Sequence, residues 1–210
     1  MMKEVILHNA LISHKMSVLR DKNTSTKEFR EIIRELSNLL CYEAFRDAET
    51  YSCTVETPVA TMQGQRLDTD KYVFVPILRA GLGMIDGVLQ AIPNATFGFI
   101  GLYRNEETLE PVEYYFKMPA DISDRKVVLL DPMLATGGSA VNAIGQLKKR
   151  GVKDIKFLCI VASPLGLETV KNAHPDVQIY TTALDERLND HGYIVPGLGD
   201  AGDRMFHTVK

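Results

Sequence analysis

Cysteine is scarce. Cys41, Cys53 and Cys159 are the only three in 210 residues, an odd number without C-x-x-C spacing. That argues against a disulfide framework and a thiolate metal centre, and leaves buried thiols as the plain reading. The five histidines are scattered without metal-ligand spacing. No Lys/Arg block occurs: 24 basic residues face 27 acidic ones, for a net charge of −3. Sequence-independent binding to nucleic acid or to an anionic membrane therefore has no electrostatic support. The start "MMKEVILHNALISHKM" has no long apolar core. No apolar run approaches the roughly 18 residues of a membrane span, so neither secretion nor membrane insertion is expected. Internal repeats, low-complexity tracts and linkers are also missing, so residues 1–210 read as one domain, suited to a reducing cytoplasm. With 45% apolar side chains, a chain of this length can bury a substantial core.

What is present is an alternation. "STKEFREIIRELSNLLCYEAFRDA" opens with a Ser25-to-Glu28 capping box and repeats Phe29, Ile32, Ile33, Leu36, Leu39 and Leu40 at helical spacing, which predicts a structural amphipathic helix. Apolar runs then recur at "YVFVPIL", "ATFGFIGLY", "KVVLLD", "IKFLCIVAS" and "VQIYTTAL". Helical patterns at "GLGMIDGVLQAI", "SAVNAIGQLKKR" and "LGLETVKNA" separate most of them. Strands and helices in alternation predict an α/β fold with a doubly wound, mainly parallel sheet.

One junction stands out. Val127 to Leu130 is β-branched and aliphatic without alternation, the habit of a strand buried on both faces. Val141, Ile144 and Leu147 then recur at helical spacing, with Lys148, Lys149 and Arg150 in the last turn and Gly151 at the C-terminal cap. Between them lie Thr136, Gly137, Gly138 and Ser139, where unpaired N–H groups and the positive end of the helix dipole converge into an anion site. No Lys follows the glycines, so this is not the "GxxxxGK[ST]" loop of nucleoside triphosphatases. Taken alone, "TGGS" reads equally well as a tight turn with a hydroxyl cap. Asp131, five residues before the loop at the end of a buried strand, is placed to accept from ribose hydroxyls. A phosphorylated ribose becomes the expected ligand.

In open α/β sheets, ligands lie beyond the carboxyl ends of the strands. Arg79 follows "VFVPIL" and opens "RAGLGM"; its guanidinium can hold a pyrophosphate bidentately. Arg104 follows "FGFIGLY" in the same sense. The acid-rich, aromatic stretch after it is long for a simple connection and reads as a lid or, alternatively, as an ordered hairpin. Near the C-terminus, Gly197, Gly199 and Gly202 match G-x-G-x-x-G, but the chain ends at residue 210 and leaves no room for the βαβ unit that a dinucleotide site requires. Glycines and Pro196 instead predict irregular, exposed backbone able to pair with something planar, such as a base.

An acid, a few residues, then T-G-G-S after a buried strand resembles the 5-phosphoribosyl-1-pyrophosphate (PRPP) loop of type I phosphoribosyltransferases. "DPMLATGGSA" is similar to the form found in the uracil phosphoribosyltransferase family. "PILRAGLGM", "GLYR", "PVEYY" and "YIVPGLGDAGDR" extend that resemblance in order along nearly the whole chain. The chain departs from the wider superfamily at Pro132, where a second acid usually stands. The resemblance implies the type I phosphoribosyltransferase fold, a mainly parallel sheet flanked by helices with a hood from the two termini. It implies a transferase making UMP and diphosphate from uracil and PRPP in pyrimidine salvage. It places Arg79, Arg104, Asp200 and the loop Asp131, Pro132, Met133, Leu134, Ala135, Thr136, Gly137, Gly138 and Ser139 on PRPP. Ile194, Gly199, Asp200 and Ala201 fall on uracil, and Asp131, Asp200 and Arg104 take catalytic roles. Mg²⁺ is expected with PRPP, without a metal site built by the protein alone. GTP is expected as an allosteric activator, as in some relatives, and the assembly as a dimer or larger homo-oligomer. Two other readings stay open: a phosphoribosyltransferase for a purine or orotate, and a regulator of this fold that binds RNA.

Overall fold

The computed structural model describes residues 4–104 and 111–208, with the side chains of Arg104 and Pro111 outside that description. A nine-stranded sheet runs in the order β1 (Glu4–Ile6), β11 (Gln178–Leu184), β10 (Ile155–Ala162), β8 (Lys126–Leu130), β4 (Tyr72–Leu78), β6 (Phe99–Arg104), β7 (Pro111–Lys117). The short β5 (Thr96–Phe97) pairs with β4, and β9 (Met133–Leu134) with β10. Every pairing is parallel except β6 with β7.

The aliphatic runs form the middle of the sheet because both of its faces are covered. Along β8, Val128 and Leu130 join the apolar cluster under α1 (Ala10–Arg20), α2 (Thr26–Ala44) and α3 (Ile85–Ala91). Val127 and Leu129 join the opposite cluster, under α4 (Gly138–Lys149) and α5 (Pro164–Ala173). The period of two along a strand thus sorts one run into two cores. The first core holds α2 through Phe29, Ile32, Ile33, Leu36 and Leu40, each worth roughly 1.5–3 kcal/mol of burial. Ser25 caps that helix by accepting the Glu28 N–H at 3.2 Å. Cys41 and Cys159 are buried, and desolvation pushes both thiols up to about 12; Cys53 is half-buried.

Three expectations are corrected. The stretch after β6 returns as an antiparallel strand, β7, so its described part is a hairpin rather than an irregular loop, and residues 105–110 lie outside the described residues. The "GLGMIDGVLQAI" pattern divides into a 3-10 turn, Ala80–Met84, and the shorter α3. The C-terminal segment is only partly irregular. Ile194–Val195 forms β13, antiparallel to β12 (Arg187–Leu188), and Ala201–Phe206 forms α6. The exposed hairpin of β2 (Thr50–Glu56) and β3 (Thr61–Leu67) had no counterpart in the sequence reading.

From β4 the chain winds outward through β5 and β6 on one side, then returns to β8 on the other and continues to β10 and β11. The direction reverses between β4 and β8, and a ligand crevice is expected beyond their carboxyl ends. Asp131 follows β8 and Arg79 follows β4.

Candidate active site

β8 does not run smoothly into its loop. The Asp131 N–H donates to Leu158 O at 3.2 Å, and Pro132 O accepts from both Ile160 N and Val161 N, at 2.9 and 3.1 Å. Pairing then resumes as β9 on Val161 and Ala162. The ladder is interrupted here without a change of register, and Pro132 suits the gap because a residue without an N–H leaves no ladder donor unpaired there. Pro132 therefore shapes the loop and supplies no second carboxylate. The interruption falls where the chain passes Asp131.

Asp131 retains some accessible surface, yet protein atoms crowd its carboxyl. Burial pushes its pKa from 3.8 up to about 7, a Met133 backbone hydrogen bond opposes the rise, and the Asp200 charge adds to it. The two carboxylates thus share one electrostatic neighbourhood. Asp200 is exposed and caps α6, its Oδ1 accepting the Asp203 N–H at 2.8 Å.

The phosphate-type loop ends at Gly137, whose φ of +86° and position as N-cap of α4 suit a residue without a Cβ. A Cβ there would lie 2.8 Å from Thr169 Cβ and 3.0 Å from Gly166 O, so α5 packs directly beneath the loop. No side chain caps α4, which leaves its first-turn N–H groups facing outward for an anion. Ser163, fully buried and at the N-cap of α5, fixes the underside: it donates to Ala135 O at 2.6 Å and accepts the Gly166 N–H at 2.9 Å. The sequence reading passed over Ser163, although a serine just before the helix-opening Pro164 is a readable cap signal.

Four segments meet at this end of the sheet. The turn after Arg79 presses against the Asp131 strand, since a Cβ on Gly81 would fall 2.6 Å from Leu130 O. Cβ positions at Ala80 and Gly202 lie 3.8 Å apart, and one at Gly192 would fall 3.9 Å from Thr136 Cγ2. Arg79 is exposed and, among the described residues, makes no ion pair with a carboxylate. Arg104 ends β6, next to β4; its side chain lies outside the described residues. The Ile194 side chain is buried in the first core, so only its main chain is left for a ligand. Among the described residues the N–H groups of Gly199 and Asp200 donate to no backbone acceptor. The structure thus brings the turn after Arg79, the Asp131–Ser139 loop and segment 200–202 to the same end of the sheet.

The sequence reading also missed Arg20 and Asp185. Asp185 Oδ2 accepts the Gly197 N–H at 2.8 Å, and the Arg20 guanidinium bridges both Asp185 oxygens, at 2.7 and 2.5 Å. Asp185 follows β11 as Asp131 follows β8, so the strand-end rule that found one would have found the other; nothing in the sequence singles out Arg20.

The family described as uracil phosphoribosyltransferase matches residues 6–208. The uracil phosphoribosyltransferase of Dictyoglomus thermophilum is 58% identical over 204 residues, 97% of this chain and 99% of that protein. Its namesake from a Geobacillus strain is 57% identical over 206 residues, covering 98% and 99%. A solved structure of a protein from Aquifex aeolicus, 42% identical, superposes with a TM-score of 0.93 over 98% of this chain and 99% of that one. A hypoxanthine-guanine phosphoribosyltransferase from Bacillus anthracis, 14% identical with a TM-score of 0.50 over 77% of this chain and 79% of its own, shares the fold alone. Strand order, loop geometry and full-length similarity agree: the chain belongs to the uracil phosphoribosyltransferase family.

Proposed function

We propose that this protein transfers the 5-phosphoribosyl group of PRPP to a ring nitrogen of uracil, giving UMP and diphosphate in pyrimidine salvage. One juxtaposition supports the reading: the Asp131 carboxyl feels the Asp200 charge, the first turn of α4 beside it is uncapped, and the N–H groups of Gly199 and Asp200 donate to no backbone acceptor among the described residues. The first two suit the ribose and 5′-phosphate, and the third suits the carbonyls of a pyrimidine. Uracil presents acceptor, donor, acceptor along its edge. Cytosine exchanges an acceptor and a donor, so fixed backbone groups that satisfy uracil leave unpaired polar atoms against cytosine.

In the transfer, the C1′–oxygen bond to diphosphate breaks, the base nitrogen supplies the electron pair for the new C1′–N bond, and its proton is lost. The sugar passes through an oxocarbenium-like state, so the chain's task is positioning and charge. Asp131 orients the ribose hydroxyls, Asp200 places negative charge near the developing cation, and Arg79 and Arg104 receive the leaving diphosphate. Among the described residues no group of three or more His, Cys, Asp or Glu side chains forms a metal cage. The coupled pair Asp131 and Asp200 fits an ion that arrives on substrate phosphates and takes one or two carboxylates from the protein. Mg²⁺ bound there would neutralise charge on the leaving diphosphate.

The test is diphosphate release from PRPP and Mg²⁺ with uracil, cytosine, orotate, hypoxanthine or no base, each with and without GTP as the proposed activator. Release with uracil alone, matched by UMP, is expected. Release with another base would overturn the assignment of the C-terminal segment. Silence throughout, despite PRPP binding, would overturn the transferase reading in favour of a regulator. Arg104→Ala should weaken PRPP by about tenfold or more and uracil much less; a variant in which only the uracil constant moves would show that Arg104 is misplaced.

The same reading includes a homo-oligomer working in a reducing cytoplasm, with no nucleic-acid or membrane partner. Exposed Tyr51, Val59 and Met62 on the β2–β3 hairpin support self-association, which sedimentation would test. No helix among the described residues is long and apolar enough to cross a membrane.

A further inference from the structure

The segment that reads the base has little regular structure of its own, and its donors need a fixed orientation to discriminate between bases. The Asp185 carboxylate and the Arg20 guanidinium surround one residue of that segment. Asp185 Oδ2 accepts the Gly197 N–H at 2.8 Å, while Arg20 Nη1 donates to Gly197 O at 2.7 Å and to Asp185 Oδ2 at 2.7 Å. The second Arg20 nitrogen completes a bidentate pair with Asp185 Oδ1 at 2.5 Å. Both backbone polar groups of Gly197 are therefore held by one ion pair. That pair is well shielded, with Asp185 only 5% exposed at the side chain and Arg20 24%. Charge-assisted bonds in such a setting are short and directional.

A second arginine works on the next residue. Arg204 donates to Leu198 O and Leu19 O at 2.8 Å each and to Asp21 O at 2.6 Å, with its guanidinium 4.2 Å from the Phe29 ring centroid. Gly197 and Leu198 are thus both tied to the C-terminal end of α1, directly before Gly199, Asp200 and Ala201. The Asp185 end is rigid as well, because its own N–H donates to Ala162 O at 2.9 Å and extends the pairing of β11 on β10.

We propose that Arg20 and Asp185 are positioning residues for base recognition: they set the orientation of the Gly199–Ala201 donors without touching PRPP. The inference rests on the function proposed above and adds to it the device that fixes specificity. Neither side chain lies in the PRPP loop or the turn after Arg79, so the pair bears chiefly on the base and reaches PRPP only through Asp200.

The test compares the full-length wild type with Arg20→Met, which retains most of the stem but not the donors, and Arg20→Lys, which restores charge without the fork. Arg20→Met should raise the KM for uracil about tenfold and reduce preference for uracil over cytosine, with a clearly smaller rise in the Kd for PRPP, transmitted through Asp200. Arg20→Lys should recover part of the loss. Backbone amides at 197–201 should exchange faster with solvent in Arg20→Met. An unchanged uracil KM in a folded variant, or parallel rises for uracil and PRPP, overturns the proposal. If Arg20→Met does not fold, Asp185→Asn, which conserves volume, is read by the same criteria; if neither folds, the pair is structural and the proposal fails. Should the wild type not use uracil, the functional reading falls separately, and the exchange measurement still decides whether the pair orders this segment.

Discussion

Asp131→Asn should fold normally and lose about 10²–10³-fold in turnover, since a preorganised charge facing the reacting sugar is removed without a change in shape. Its pH behaviour should be equally informative. In the free protein, burial holds the Asp131 pKa at about 7, whereas hydroxyl donors and a metal ion both favour the charged carboxylate. PRPP binding should therefore weaken as pH falls below 7, by up to about tenfold per unit. In the Asn variant that component should vanish, leaving only the titration of PRPP itself. Stability should move in the opposite sense. A carboxyl whose folded pKa is raised from 3.8 to about 7 favours the fold below the lower value, and this contribution is lost as pH rises through the upper one. Ligand-free Asp131→Asn should accordingly melt above the wild type at pH 8 and not at pH 4. Calorimetry and PRPP titration at several pH values check both halves. Equal pH dependence in the two proteins would mean that Asp131 does not meet the ribose.

Gly137→Ala should be nearly as damaging, through PRPP rather than through chemistry. A left-handed backbone costs an alanine roughly 1–2 kcal/mol. Its Cβ would also press on Thr169 Cβ at 2.8 Å and Gly166 O at 3.0 Å, so the loop must lift off α5 and carry the first turn of α4 with it. We expect the Kd for PRPP to rise at least about thirtyfold, equivalent to some 2 kcal/mol, with a lower melting temperature. Thr169→Ala should not rescue it, because the clash is with a Cβ that alanine keeps and with a backbone oxygen. Gly145→Ala is the control: it lies in the same helix, and a Cβ there meets nothing within 4 Å, so helix propensity should make that change mildly stabilising. If Gly137→Ala binds PRPP as the wild type does, this loop is not the phosphate cradle.

The parts of the molecule legible in the sequence are those whose pattern is enforced by burial. β4, β8 and β10 read as strongly apolar runs because each is covered on both faces, and α2 reads as a helix because one stripe faces the core. The strand–loop–helix junction from β8 to α4 was legible because a strand, two glycines and a helix follow one another locally. Along β2 and β3 most side chains face solvent, so no burial pattern marks that hairpin. The density of glycine and proline near the C-terminus hid two short regular pieces, although Asp200, three residues before an N–H that it accepts, was a cap in plain view. Arg20 and Asp185 are 165 positions apart. A contact at that separation leaves no local trace and emerges only when α1 and the end of β11 are brought together.

The order of strands has a consequence for redesign. β8, β4 and β6 are immediate neighbours, and the groups assigned to the sugar phosphates leave from their ends. The segment assigned to the base arrives separately, after β11, from beyond β10. On the proposed assignment, most donor and acceptor recognition falls in distinct stretches of sequence, so a block exchange of residues 185–205 to select a different heterocycle should succeed only if it keeps the carboxylate of Asp200. The graft must carry its own partner for position 20, or it will arrive without an anchor.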